Sequence, residues 1–396
     1  MNLTTPIVLL ETANGDGKNL LAWGMEESCS FRLAVDFYRL AAFIEKTSKW
    51  KFGAISYELN REFEKLPEKS SDFIGFPVVC FFIPQVVAEK IDGLWQVVYG
   101  KASDAEIDAV LHAFSSRSNP KTSLIPKVSK SEYTQQFELL QKHIHRGDVY
   151  ELNYCIEFAN HAEIHPPTVY SRLKERTKAP FSAFFKWENS VLMCGSPERY
   201  LRKIGNKVIS QPIKGTAPRS ADVDADAQII ARLKNDPKER AENIMITDLV
   251  RNDLSKSALP GSVKVEELCE IYSFQTVHQM ISTITARYPE NISFSKIIAD
   301  TFPMGSMTGA PKVRAMELID QVELGARGLY SGAVGYVDPA GDFDFNVVIR
   351  SLQYNTQTHY LSAMVGSAVT ALANAETEYE ECLLKADALF KALNDD

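Results

Sequence analysis

The sequence predicts a large α+β protein, and three observations carry that expectation. Strand-like and helix-like stretches are interspersed without the steady βαβ alternation of a Rossmann sheet. At 396 residues the chain can bury a large core; length alone suggests about two to three domains, although large α+β folds can exceed that as one unit. With 45% apolar and 24% charged residues, the composition is that of an ordinary soluble globular protein.

Residues 1–125 read as an N-terminal subregion. It mixes strand-like runs, "FPVVCFFIPQVV" and "WQVVYG", with a helix near "FRLAVDFYRLAAFIEKT". The Ser-, Pro- and Lys-rich stretch "SSRSNPKTSLIPKVSKSEY" reads as a linker into the second region, 126–396. There Tyr133, Phe137, Leu140 and Ile144 recur at helical spacing, and Gly147 stands where a C-terminal cap belongs. "GDVYELNYCIEFAN" follows as a strand, and "YLRKIGNKVISQPIKGT" as a hairpin turning at Gly205-Asn206. Asp236-Pro237-Lys238-Glu239 opens a helix, with an N-cap aspartate, proline at the first position and glutamate at the third. Another helix starts at Ala310-Pro311. "YSGAVGYVDPAGDFDFNVVIRSLQYN" reads as a second hairpin around Asp338 to Gly341, and the last helix begins near Thr377.

The bulk numbers also exclude function classes. The six cysteines are scattered without a CxxC pair, which argues against a zinc site or disulfide framework and fits a reducing cytoplasm. A net charge of −8 without a basic block makes nucleic acid an unsuitable partner. No apolar run approaches the ~18 residues of a membrane span, and "MNLTTPIVLLETANGDGK" lacks the pattern of a signal peptide.

Lys214 raises the sharpest question, because "QPIKGTAPRS" seats a normally solvated charge between an apolar pair and a Gly-Thr turn. Glu242 shares a helical face with Met245, Ile246 and Leu249, and a carboxylate on a buried face is paired, protonated or metal-bound. An ion pair with arginine satisfies that spacing as well as a metal does, and a capping box already explains Glu239. Glu378, Glu381 and Lys385 line one stripe of the last helix, beside Tyr379, Leu383, Ala386 and Phe390. Alone, such a stripe is a solvated i,i+4 pair. Two helices each offering carboxylates, without clustered Cys or His, suit a hard cation such as Mg²⁺. "FPMGSMTGAPKVRAM" is either a glycine-rich turn or an anion-binding helix start, and it is not a Walker loop. Glu198 in "VLMCGSPERYL" reads by itself as a turn acid, and His278 in "VHQMIST" as a core histidine.

Together these segments carry more. "SPERYL", "PIKGTAPR", "ERAENIMITDLVRNDLSK", "VHQMIST", "FPMGSMTGAPKVRAM", "YSGAVGY" and "EYEECLLKADAL" follow the order and rough spacing of the chorismate-utilising enzymes, which the chain resembles from about residue 126 onward. "FGAISYELNREFEKL" also resembles the N-terminal part of the amine-transferring members. The resemblance implies two antiparallel β-sheets packed as a sandwich with helices outside, the N-terminal subregion packed into the same sandwich, and a site at the sheet edges. It implies Mg²⁺ held through Glu242 and Glu381 with Glu239 and Glu378 close by, binding the ring carboxylate of chorismate. Tyr330, Arg350, Lys385 and the backbone near Gly366 match groups that hold the pyruvyl carboxylate. Ser306 stands where the family usually has threonine. Thr216 and His278 match residues of the ring pocket, His278 on its catalytic side, and Glu198 resembles the general acid.

Where anthranilate synthases read Pro-Ile-Ala-Gly-Thr, Lys214 resembles the aminodeoxychorismate synthase branch, in which the amine attacks ring C2 and ammonia then displaces it at C4. That chemistry serves p-aminobenzoate and folate synthesis, and it requires a neutral lysine, desolvated or crowded by cations. The alternatives are anthranilate synthase component I and a catalytically silent chorismate-binding subunit. No glutaminase segment is visible, so ammonia is expected from a separate glutamine amidotransferase subunit. Two departures stand out: Glu151 where these enzymes carry glutamine or lysine, and "GSAVT" from Gly366 in place of a glycine run. No tryptophan-inhibition motif is visible, and no feedback by tryptophan is expected.

Overall fold

The computed structural model describes residues 6–13, 16–32, 37–64, 66, 72–115 and 120–394. Its strands form two large antiparallel sheets. In the first, Glu151–His161 is followed in order by Tyr360–Thr370, Ser351–Asn355, Ser190–Ser196, Phe181–Trp187, Ile7–Glu11 and Leu20–Trp23. In the second, Val277–Arg287, Lys207–Gln211, Arg199–Ile204, Phe343–Val347, Ala333–Val337, Lys51–Ile55 and Val79–Ile83 lie side by side. Residues of the N-terminal subregion therefore supply strands to both sheets. Ile7–Glu11 pairs with Phe181–Trp187, and Lys51–Ile55 with Ala333–Val337.

The sheets pack face to face because their strands alternate two apolar faces. Val8, Leu20, Phe185 and Leu192 of the first meet Phe52, Phe82, Val334 and Tyr336 of the second. Neighbours one residue away turn outward. Ile7, Leu9 and Phe184 pack under the helices Pro166–Thr177 and Ala375–Asn394, through Val169, Leu173, Leu389 and Leu393. On the other outer face, Phe81 and Phe345 pack with Phe294, Ile297 and Ile298 of the helix Phe294–Thr301. Among the described residues no helix is long and apolar enough to cross a membrane.

Local signals placed most elements. Lys130–Arg146 is a helix with a Ser129/Glu132 capping box, Gly147 at φ +89°, and Tyr133, Phe137, Leu140 and Ile144 buried. Pro237–Ser255 begins at the Asp236 N-cap, whose carboxylate accepts the Lys238 and Glu239 amides. Part of the linker stretch is outside the described residues; the remainder is more ordered than expected, since Ile125–Pro126 adds to the edge of Glu151–His161. The early helix is described over Phe37–Glu45; Phe31 belongs to the strand Glu27–Phe31, and residues 33–36 lie outside the described residues.

The second hairpin needs the larger correction. Its returning limb breaks after Val347 and crosses between sheets, so that Phe343–Val347 lies in the second sheet and Ser351–Asn355 in the first. Arg350 makes this crossover at φ +51°, a left-handed conformation unusual for a side chain with a Cβ. A matching crossover joins Ser190–Ser196 to Arg199–Ile204 through Glu198. The two run side by side, the Val347 amide donating to the Glu198 carbonyl and the Gly195 amide to that of Arg350.

Candidate active site

Glu198 and Arg350 thus meet where both sheets exchange strands. Glu198 is 4% exposed, and Ser306 donates a 2.7 Å hydrogen bond to its Oε1. Burial drives the Glu198 carboxyl up to about 7, against the opposing pull of the Ser306 bond and the Lys214 charge.

Lys214 arrives from the second sheet. Lys207–Gln211 and Ile213–Pro218 run end to end along Val277–Arg287, parted by Pro212, which has no N–H for the ladder. Ile213 pairs with Ile281 and Thr216 with Gln279, so Lys214 and Gly215 together face one residue, a β-bulge that re-aims the side chain. Gly215 takes φ +85°, and a Cβ there would lie 3.1 Å from Glu239 Oε2. Lys214 Nζ stands 3.6 Å from Oε1 of Glu151 and 3.6 Å from Oε2 of Glu242. Burial works to lower its pKa, but the carboxylates of Glu151, Glu242, Glu198 and Glu239 outweigh that and hold it above the ordinary lysine value. These surrounding carboxylates favour the ammonium form of Lys214.

The two helices bring up the remaining carboxylates. Glu239 is pushed up to about 7, by burial first and by repulsion from Glu242 second. Glu378 is also raised by burial, although Lys238 bonds it at 2.8 Å. The same lysine lies 3.9 Å from Glu242, tying the two helices together. Burial would raise Glu381 too, but Lys385 at 2.6 Å, with Lys238 and Lys214, holds it below the ordinary value. Among the described residues no three acidic, histidine or cysteine side chains are closed into a ready metal cluster. Lysines stand among these carboxylates instead of the arginine that the spacing of Glu242 also allowed. The donor set nonetheless fits a hard cation: all four are carboxylates, and Glu242 Oε1 is buried with no hydrogen-bond partner.

Lys385 Nζ also donates to the Gly366 carbonyl at 2.8 Å, and Arg350 Nη1 to the Lys385 carbonyl at 3.4 Å. A Cβ at Gly366 would lie 2.7 Å from Cys155 Sγ, so the close approach that a glycine permits is used here. Tyr330 is buried, and burial holds its phenol well above the usual range, so it is uncharged. Lys214, Glu198, Ser306, Glu239, Glu242, Glu378, Glu381 and Lys385 are therefore linked, with Arg350, Tyr330 and Gly366 at one end.

His278 and Thr216 are placed differently. His278 is fully buried, its ring nitrogens 2.8 Å from Ser273 Oγ and 2.9 Å from Asp226 Oδ1. Neither nitrogen bonds a member of the Lys214 cluster. Thr216 is exposed on the strand beside it. Sequence reasoning passed over Lys238, whose signal was its i,i+4 spacing to Glu242. It also passed over Arg327, which stands four residues after Glu323. That buried guanidinium grips Glu323 twice and donates to the Met307 and Asn153 carbonyls, fixing the Ser306 turn against Glu151–His161.

Comparison with known proteins places the chain in a family and confirms its fold. A sequence model described as chorismate binding enzyme matches residues 6–391. The chain is 36% identical over 348 residues to aminodeoxychorismate synthase component 1 of Salmonella typhimurium, covering 86% of this chain and 76% of that one. It is 30% identical over 355 residues to anthranilate synthase component 1 of Thermus thermophilus, with the same coverage of 86% and 76%. The crystal structure of anthranilate synthase component I from Streptococcus pneumoniae shares the fold, with a TM-score of 0.82 at 21% identity over 95% of this chain and 92% of that one. A family match along residues 6–391, together with relatives 30–36% identical over 86% of the chain, leads to one conclusion: the chain belongs to the chorismate-binding enzyme family.

Proposed function

We propose that the chain is the synthase subunit of an aminodeoxychorismate synthase, converting chorismate and ammonia to 4-amino-4-deoxychorismate through a covalent adduct on Lys214. The observation that carries this reading is Lys214 itself, re-aimed by a bulge and held, with its side chain 13% exposed, between Glu151 and Glu242 beside Glu198. Relatives named aminodeoxychorismate synthase support the branch. Their designation as component 1 supports a separate glutamine amidotransferase subunit as the ammonia source, in a cytoplasmic folate route.

Glu239, Glu242, Glu378 and Glu381 would hold Mg²⁺, which when bound supplies the positive charge that fixes the ring carboxylate. Lys385 and Arg350 offer cations to the second carboxylate, with Tyr330 and the Gly366 backbone beside them. Once the carboxylates of Glu239 and Glu242 are neutralised, the burial of Nζ weighs more heavily toward the free amine, and the proton it gives up passes to solvent. Nζ then bonds to C2 as the ring double bonds shift and the C4–O bond breaks; Glu198 gives its proton to the departing oxygen, which leaves as water. Ammonia bonds to C4, and the C2–Nζ electron pair returns to the lysine. Thr216 and His278 belong to this reading as residues of the ring pocket, His278 with a catalytic role.

Intact mass spectrometry after incubation with chorismate and Mg²⁺ without ammonia tests it. Wild type gains the mass of chorismate less water, and Lys214→Ala does not. Full activity in Lys214→Ala, or release of anthranilate and pyruvate when ammonium is supplied, refutes the reading.

A further inference from the structure

The reaction so described leaves one buried group without a task. Glu151 is 2% exposed, its Oε1 faces Lys214, and its Oε2 is buried with no hydrogen-bond partner. Glu242 stands across the amine, with Oε2 toward Nζ and Oε1 making no hydrogen bond, only a 3.9 Å ion pair with Lys238. At 3.6 Å neither contact is a hydrogen bond, so an ammonium group rests loosely between two carboxylates with unspent acceptor capacity. Glu151 cannot readily withdraw, since its backbone is paired with Ala310 on one side and Thr370 on the other.

We propose that Glu151, with Glu242 opposite, forms a seat for an ammonium ion, filled by the Lys214 side chain at rest and by the incoming ammonium once Lys214 is bonded to the ring. The proposal rests on the Lys214 reading above, and Glu151 is the member of the pair outside the metal-binding set. When Nζ moves to C2, Glu151 loses its counter-charge in a place where an unpaired carboxylate is costly. Ammonium restores the same charge and the same kind of donor as the lysine head group. On attack, one ammonium proton passes to the Glu151 carboxylate and the freed lone pair forms the C4–N bond. The C2–Nζ electron pair returns to Lys214, which takes the proton back and re-forms the resting pair.

Amination is followed with ammonium chloride at saturating chorismate and Mg²⁺ in wild type and Glu151→Gln, with intact masses recorded in parallel without ammonium. Glutamine keeps the shape and removes the charge. The KM for ammonium rises about tenfold, the loss of one charge-assisted hydrogen bond, while the KM for chorismate rises far less. An unchanged KM for ammonium, or an equal rise in both constants, overturns the proposal. Loss of the lysine adduct in Glu151→Gln also overturns it, by assigning Glu151 to the lysine step. A wild type that aminates chorismate without ever carrying the adduct refutes the Lys214 reading instead, and the KM for ammonium still decides the seat. Potassium ion, close to ammonium in size and charge, competes with ammonium in wild type; a lack of competition counts against the seat independently of any variant.

Discussion

Replacing Ser306 with alanine isolates the acid that the chemistry needs. Ser306 Oγ donates at 2.7 Å to Glu198, and that bond opposes the burial that lifts the carboxyl to about 7. A hydrogen bond to a charged group is worth about 1.5–3 kcal/mol. At about 1.36 kcal/mol per pH unit, its loss raises the Glu198 pKa by roughly one to two pH units. The protonated form is the competent acid, so the alkaline limb of kcat/KM moves to higher pH, and activity at pH 8 is retained better than in wild type. The assay is chorismate consumption with ammonium, followed across neutral and alkaline pH. Glu239 also titrates near 7 in the free site, but Ser306 does not bond it, so a moved limb identifies Glu198. A limb that stays in place, or moves to lower pH, refutes the assignment of Glu198 as the acid whose ionisation controls the rate.

Other outcomes follow from the same geometry. Glu198 has a native pKa above its ordinary value of 4.5, so the stability it contributes is complete below that value and is lost as pH rises through about 7. Glu198→Gln therefore stabilises the protein by about 3 kcal/mol at pH 8 and little at pH 4, read by urea unfolding at both. Glu242→Gln raises the Mg²⁺ concentration for half-maximal activity and the KM for chorismate together, as titrations of each show. Gly366→Ala forces a Cβ to within 2.7 Å of Cys155 Sγ; it costs about 1–3 kcal/mol of stability and raises the KM for chorismate, checked by denaturation and steady-state kinetics. Arg327→Met removes the guanidinium that bonds the buried Glu323 carboxylate, and lowers stability by about 3–5 kcal/mol in urea unfolding.

Much of this site is legible in single segments. The helix carrying Glu239 and Glu242 announces itself by its aspartate cap and proline, and the last helix by its periodic stripe. The bulge at Lys214 has its signal too, since Pro212 and Gly215 are both poor ladder residues in an otherwise strand-like run. The break at Arg350 was read as a continuous strand because nothing in "VVIRSLQYN" marks it; the crossover is imposed by the second sheet.

The chain order of its motifs and the helix faces were determined by the sequence alone, because caps and periodicity act over a few residues, whereas the candidate reacting groups came from the resemblance to the chorismate-utilising enzymes. Tertiary structure decided the electrostatics. Glu151 and Lys214 lie in different sheets and meet only because the two sheets converge at this edge. No local pattern reports a contact across such a separation. The protonation of Lys214, the elevation of Glu198 and the lysine bridge between the two helices all arise from it, since burial and neighbouring charge are properties of the assembled fold.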